Sequence, residues 1–172
     1  SMVIAKSADA DQARGIMFWL LGNLSGVRLP DVALAFPVAC VGLLLCLAHA
    51  RSLDAFTFGR ESASSMGVDV RWVQLVLIGT TAMMTAVMVS LVGAIGFVGL
   101  VIPHAARFLV GSQHGRLLPC CAILGAAFLV ICDVVSRIRF PGQVLPVGVV
   151  TALIGAPAFA VILMNRGRAR SC

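Results

Sequence analysis

The residue types that most often do chemistry are few in this chain, and their spacing does not suit it. Six cysteines are present among the 172 residues: Cys40, Cys46, Cys120, Cys121, Cys132 and Cys172. They form no C-x-x-C or Cys/His ligand spacing, and most fall in apolar runs, where a free cysteine behaves as a small hydrophobic side chain. We therefore expect no disulfide, no metal site and no cofactor.

A P-loop for nucleotide hydrolysis is also excluded. A P-loop ends in a lysine that follows its second glycine, and the only lysine of this chain is Lys6. No nucleophile, base or metal constellation can be assembled from the remaining residues. We expect that the chain is not an enzyme and that a separate partner handles any ATP.

The composition is that of an integral membrane protein. Hydrophobic residues make up 60% of the chain and charged residues 12%, whereas about a quarter of a soluble domain is charged. The net charge of +6 comes mainly from scattered arginines, and aromatic residues make up only 6%. This pattern favours positive-inside topology and contact with membrane lipid over nucleic-acid binding.

The stretch 93–111 is apolar but unusual for a helix that faces lipid. It has three glycines at three-residue spacing, followed by Pro103, His104 and Arg107. Pro103 cannot donate to the carbonyl of Gly99, four residues back, so a helix kink is predicted there. The alternative is an ordinary tightly packed span, because glycine and proline are common in membrane helices. We expect interface contacts for His104 and anchoring of Arg107 to lipid headgroups or loop carbonyls.

Charge parity sets the number of membrane crossings. Residues 72–106 contain no Asp, Glu, Lys or Arg, and as one helix they would measure about 52 Å. Arginines mark the loop before this run and the C-terminal tail as cytoplasmic, so an even number of crossings must separate them. The later apolar stretches 117–132 and 144–164 supply two crossings. The run must therefore supply two more and turn near 93–96. The prediction is an all-α membrane protein with five spans, at about 32–49, 72–92, 95–110, 117–135 and 144–164.

The same pattern predicts the domain organisation, a single transmembrane domain over residues 1–172. Residues 1–31 form an external segment, in which the apolar stretch 15–27 is too short to span about 30 Å and suits a short interfacial helix. Residues 51–71 form a polar cytoplasmic loop with two short helices, joined at Gly59 and ended by Gly67. The absence of a first span before this segment is typical of the middle of a larger protein.

Four motifs carry a family resemblance. In chain order they are FWLLGNLSGV; LDAFTFGRESASSMGVDV; GAIGFVGLVIPHAARFLVG; and DVVSR followed by LPVGVVTALIGAPAFAVIL. With these motifs, residues 14–166 resemble the C-terminal half of a permease subunit of the binding-protein-dependent ABC importers for iron siderophores, haem and cobalamin. The resemblance implies half of a ten-span type II importer fold in the bacterial inner (plasma) membrane.

The resemblance also implies a coupling role for the loop between the first two spans. In the family, two short cytoplasmic helices seat in a cleft of the ATPase subunit. The matching residues here are Leu53, Phe56, Phe58, Gly59, Arg60, Glu61, Met66 and Gly67. Arg60 departs from the family pattern, in which an acidic residue commonly follows the glycine. The alternative is a solvated connector.

Two arginines near the external end of the fourth span match the family's docking positions for the binding protein. They are Arg137 and Arg139. The alternative for Arg137 is a helix pair with Asp133, since acid before base at i, i+4 is favourable.

Small residues in the last span match the helix that partly lines the family's pathway between two permease subunits. They are Gly148, Thr151, Gly155 and Pro157. Gly148, Thr151 and Gly155 share one helix face. Helix packing within one subunit is the alternative.

The resemblance implies three protein partners: an ATPase subunit, a periplasmic or lipid-anchored substrate-binding protein and a second permease copy. The resemblance implies a metal chelate as substrate, with iron siderophore expected first, then haem, then cobalamin. The competing hypothesis is a truncated or stand-alone membrane scaffold or channel that does not transport by itself.

Overall fold

The computed structural model of the protein describes residues 21–138 and 146–168. These residues form helices and no strand, which confirms the all-α prediction. The helices are α1 Leu29–Ala48, α2 Ala50–Phe56, α3 Arg60–Ser65, α4 Val70–Val92, α5 Val98–Val110, α6 His114–Ile138 and α7 Val147–Arg168.

Within the described residues, three helices are long and apolar enough to cross a membrane. These are α1, α4 and α6, with 20, 23 and 25 residues. Two shorter apolar helical stretches, Val98–Val110 and Val147–Ala160, accompany them. The count of five crossings therefore stays a prediction, while the membrane character is plain.

The uncharged run 72–106 is divided into two helices, as predicted. Helix α4 ends at Val92 and α5 begins at Val98. Between them, Gly93 (φ 76°) and Phe97 (φ 66°) have positive φ angles, which a continuing right-handed helix cannot contain. Helix α5 begins three residues later than predicted, and its 13 residues measure about 20 Å.

Helix α1 begins before its predicted start. It starts at Leu29 with Pro30 in its first turn, where a missing N–H costs nothing. Asp31 lies inside that turn, and its Oδ2 accepts a hydrogen bond from the backbone N–H of Arg28 at 2.9 Å. The last residues of the predicted external segment therefore belong to α1.

The predicted interfacial helix at 15–27 lies partly outside the described residues. Its described part, 21–27, is not helical. Gly22 has φ 73°, and the Asn23 side chain accepts the backbone N–H of Ser25 at 2.9 Å. This local side-chain bond stabilises a turn in place of a helix.

The described residues divide into two compact units. One contains residues 21–27, 91–101, 128–138 and 146–168. Its core consists of Cys132, Val147 and Val150, with Leu24, Phe128 and Leu129 packed against them. In the same unit, the backbone N–H of Asn23 donates to the carbonyl of Val92 at 2.9 Å, which satisfies a carbonyl at the end of α4.

The other unit contains residues 28–90 and 102–127. Met84 of α4 lies directly against Gly42 of α1, where a Cβ would leave no space for its sulfur. Ile102 of α5 lies 4.0 Å from the place that a Cβ on Gly125 of α6 would take. A small residue thus allows close approach of the two helices at Gly42, whereas the contact at Gly125 is an ordinary one. The single-domain assignment of the whole chain stays a prediction.

Candidate functional site

The loop between α1 and α4 has the two-helix structure that the sequence predicts. Helices α2 and α3 are joined by residues 57–59, and Gly59 has φ 99° and ψ 161°. This backbone region is essentially restricted to glycine. The backbone N–H groups of Phe58 and Gly59 donate to Ala55 and Phe56 at 3.1 Å, so the junction is an ordered turn.

Helix α3 ends at the predicted glycine. Gly67 has φ 82°, and the N–H of Val68 donates to the carbonyl of Ala63 at 3.1 Å. This is the Schellman pattern, in which a glycine past the helix end lets the chain turn back over the last carbonyls. Ala63, a residue of α3 itself, is fully buried.

Large apolar side chains of this loop remain exposed. Phe58 is 73% exposed and Met66 is 62% exposed, while Phe56 and Leu53 are half-buried. Phe58 and Met66 are therefore presented to the outside, whereas Phe56 and Leu53 are presented only in part. In an otherwise polar loop, such exposure favours a surface that a partner covers.

The charged residues that begin α3 have separate roles. The Arg60 guanidinium donates from Nη2 to Oε1 of Gln74 in α4 at 2.8 Å. Glu61 is exposed in the first turn of α3, where a negative charge is favourable at a helix N-terminus. The arginine that departs from the family pattern thus ties α3 to the following helix.

A contact that the sequence analysis missed joins the loop to α6. Oδ1 of Asp54 in α2 accepts the backbone N–H of His114 at 2.9 Å and lies 2.6 Å from Nδ1 of the same residue. The hydrogen bond from the backbone of His114 lowers the pKa of Asp54 below its ordinary value, partial burial opposes this, and the His114 ring lowers it further. The sequence carries no local signal that would pair an aspartate with a histidine 60 residues away.

The alternative given for Arg137, a helix pair with Asp133, is present in the structure. Arg137 donates from Nε to Oδ2 of Asp133 at 2.8 Å and from Nη2 to Oδ1 at 3.2 Å. The Arg137 side chain remains 53% exposed, so the pair leaves it accessible. Docking through Arg137 stays a prediction, and Arg139 lies outside the described residues.

The small-residue face of α7 has packing partners at each of its three positions. Gly148 lies directly against the carbonyl oxygen of Leu21, and Gly155 lies directly against Phe97. Thr151 between them is fully buried, and its hydroxyl donates to the carbonyl of Gly148 at 3.0 Å. These contacts support the packing alternative, and lining of a pathway stays a prediction.

The other residues singled out in the sequence occupy less crowded positions. Pro157 is exposed on α7, and Pro103 lies inside α5. Gly99 is exposed, with no atom within 4 Å of the place its Cβ would take. The kink at Pro103 stays a prediction. His104 stacks edge-on against Phe108, with ring centroids 5.1 Å apart.

Comparison with known families decides the assignment. A model of the FecCD transport family matches residues 1–165. The chain belongs to the FecCD transport family. Members of this family are ABC transporter permeases, and with its apolar helices this chain is likewise a multi-pass inner-membrane protein.

Individual family members are similar over nearly the whole chain. The cobalamin import system permease protein BtuC of Halobacterium salinarum is 46% identical over 155 residues, which is 90% of this chain and 42% of that protein. The vitamin B12 import system permease protein BtuC of Escherichia coli is 39% identical over the same length, 47% of that protein. The uncharacterised ABC transporter permease protein YvrB of Bacillus subtilis is 39% identical over 168 residues, 98% of this chain.

A solved structure supports the same family membership. It is an ABC transporter assigned to the metal-chelate type, in an inward-facing conformation. The two chains are 31% identical with a TM-score of 0.82, over 88% of this chain and 50% of the other. The chain thus spans about half the length of the relatives it matches.

Proposed function

We propose that this chain forms the C-terminal half of the transmembrane subunit of an ATP-driven importer for a metal chelate. The observation that carries the proposal is the exposed apolar surface of the loop 51–71, which we call the coupling surface and define by Phe58 and Met66. Burial of this surface in a cleft of a separate ATPase subunit would pass the movement of that subunit to the spans. Family membership supports this role, and the scaffold alternative has no observation in its favour.

The substrate class is narrowed by the names of the relatives. Two of them are named for import of cobalamin or vitamin B12, and the solved structure is assigned to the metal-chelate type. These names favour a corrinoid over the iron siderophore that the sequence alone places first. The transport pathway in this proposal lies between two permease subunits, and a substrate-binding protein docks at the end of α6 through the exposed Arg137.

The coupling surface is tested by replacing Phe58 with Ala in the complete importer. Burying one aromatic side chain contributes about 1.5 to 3 kcal/mol, so Phe58→Ala should weaken binding of the ATPase subunit by roughly one to two decades. The measurement is the amount of ATPase subunit that co-purifies with the permease, together with substrate uptake.

A matched control is Phe36→Ala, because Phe36 is 68% exposed but lies in α1, away from the loop. It should leave co-purification of the ATPase unchanged. Normal retention of the ATPase and normal uptake in Phe58→Ala would return the loop to a solvated connector. Uptake assays with cobalamin and with a ferric siderophore would decide the substrate class.

A further inference from the structure

The contact between Asp54 and His114 is an ion-pair contact that joins the coupling loop to a helix far away in the chain. It joins α2, a helix of 7 residues, to the first residue of α6, a helix of 25 residues. The two residues are 60 positions apart in the chain. The contact therefore belongs to the tertiary structure.

The geometry is that of a helix cap supplied from another element. The first N–H groups of a helix have no partner within the helix. The residue before α6 is Gln113, whose carbonyl accepts the N–H of Leu117 at 2.9 Å, but glutamine is not among the side chains that cap well. Asp54 provides the acceptor instead, at 2.9 Å from the N–H of His114. A carboxylate at this position also interacts favourably with the positive end of the helix dipole.

The ring of His114 adds a second bond to the same oxygen. An ionised carboxylate only accepts hydrogen bonds, so Nδ1 of His114, 2.6 Å from Oδ1, is the donor. The side chains are 17% exposed for His114 and 32% exposed for Asp54, so water competes only in part with these bonds. Charge-assisted bonds to a carboxylate are stronger than bonds between neutral groups.

Helix α2 connects this contact to the coupling surface. Asp54 and Phe58 are four residues apart, and the turn that follows α2 is fixed by the Asp54 carbonyl, which accepts from the hydroxyl of Thr57 at 2.6 Å. Phe58 follows Thr57 directly, and its side chain is exposed. A force applied at Phe58 is therefore applied within one turn of the residue that holds the start of α6.

We propose that Asp54 and His114 are positioning residues that transmit movement of the coupling helices to α6. This rests on the proposed function, since it needs an ATPase subunit that moves α2. The bond pair holds α6 to α2, so that the two move together when the ATPase subunit closes. Without it, the ATPase would still bind at Phe58, but its movement would be passed on less completely.

The test separates binding from transmission in the complete importer, reconstituted in vesicles. Asp54→Leu removes the acceptor, and we expect ATPase retention close to wild type, with substrate uptake per ATP hydrolysed lowered about tenfold, as for loss of a hydrogen bond to a charged group. Asp54→Asn keeps an oxygen acceptor of the same size and should restore most of that ratio. His114→Ala keeps the backbone N–H and should give an intermediate loss.

The matched control is Asp69→Leu. Asp69 is also a carboxylate that caps a helix, because its Oδ1 accepts the N–H of Trp72 at 3.1 Å, but it caps α4 locally. If Asp54 served only as a structural cap, Asp54→Leu and Asp69→Leu would change uptake per ATP in the same way. We expect instead that Asp69→Leu lowers thermal stability and leaves uptake per ATP unchanged.

Two results would overturn the proposal. One is an unchanged ratio of uptake to ATP hydrolysis in both Asp54→Leu and His114→Ala. The other is loss of ATPase retention in Asp54→Leu, which would place Asp54 in the binding surface itself. Failure of the proposed function is distinct, since it appears as normal ATPase retention in Phe58→Ala. If Asp54→Leu does not accumulate, the comparison of His114→Ala with wild type decides the question.

Discussion

Glycines serve opposite purposes in the coupling loop and in α7. In the loop, Gly59 and Gly67 have positive φ angles and no atom within 4 Å of the place a Cβ would take. In α7, Gly148 and Gly155 lie within a regular helix, but a Cβ would overlap Leu21 or Phe97. The loop uses the conformational freedom of glycine, and α7 uses its small size. Replacing glycine should therefore strain the backbone in the loop and cause atomic overlap in α7.

The largest effect is expected at Gly148. In Gly148→Ala, the new Cβ would overlap the carbonyl oxygen of Leu21, a backbone atom that cannot rotate away. We expect a loss of about 1 to 3 kcal/mol or more in stability, as for other overpacked sites, measured as a lower midpoint of thermal unfolding in detergent.

The control for this substitution is Gly125→Ala in α6, whose nearest neighbour is Ile102 Cγ2 at 4.0 Å. An ordinary contact and a better helix former should make it neutral or stabilising by up to about 1 kcal/mol. Equal midpoints for Gly148→Ala and Gly125→Ala would contradict the packing assignment of α7.

The next effect is expected at Gly155, and it should depend on Phe97. Gly155→Ala would bring a Cβ directly against that of Phe97, so we expect a loss of about 1 to 3 kcal/mol. Adding Phe97→Gly removes the clashing atom and the strain of a non-glycine residue at φ 66°. The double variant should recover a coupling energy of about 0.5 to 3 kcal/mol. Strictly additive effects in this double-mutant cycle would show that the two residues do not contact.

A smaller and more local effect is expected at Gly59. Gly59→Ala meets no neighbouring atom, but its φ of 99° and ψ of 161° would cost an alanine about 1 to 3 kcal/mol. Because the cost can be relieved by rearranging the turn, we expect an unchanged thermal midpoint and weaker co-purification of the ATPase. A lowered midpoint with normal co-purification would mean that Gly59 serves packing, as the α7 glycines do.

The sequence predicts local features of both regions and misses their partners. The turn at Gly59, the helix end at Gly67 and the break after Val92 were predictable, because glycine chemistry and the uncharged run act over short distances. The contact of Asp54 with His114 was not, since no local pattern links residues 60 positions apart. It also explains why α6 begins at His114, three residues before its predicted start.

The positive φ angle of Phe97 is a second feature that the sequence does not predict, and the reason is physical. Sequence alone would give the positive φ angle to Gly96, because phenylalanine rarely adopts it. Phe97 adopts it, at φ 66°, where it lies directly against Gly155. Tertiary packing therefore overrides the local preference at this position.

The smallest effect is expected from acid, and only in the coupling loop. The folded-state pKa of Asp54 lies below its ordinary value of 3.8, so the stabilisation is fully present above pH 3.8 and is lost as the pH falls through the lower folded-state pKa. The protection of the α2 amides against hydrogen exchange, relative to their intrinsic rates at each pH, should fall in that window, and the contacts of Gly148 and Gly155 should not respond.

Asp54→Asn is the control for acid, because its amide does not titrate. The protection of the α2 amides, relative to their intrinsic exchange rates, should depend less on pH in this variant than in the wild type. The same pH dependence in both would assign the acid response to another group.

The shortness of α5 bears on how the chain enters the membrane during synthesis. Insertion selects stretches of about 20 apolar residues, which α4 satisfies with 23 residues and α5 does not with 13. We therefore expect α5 to be inserted only together with α4, as a helical hairpin. Asn23, which satisfies the Val92 carbonyl at the turn after α4, is synthesised earlier and is available when the two helices insert. On this expectation, the segments made before α5 decide its placement in the membrane.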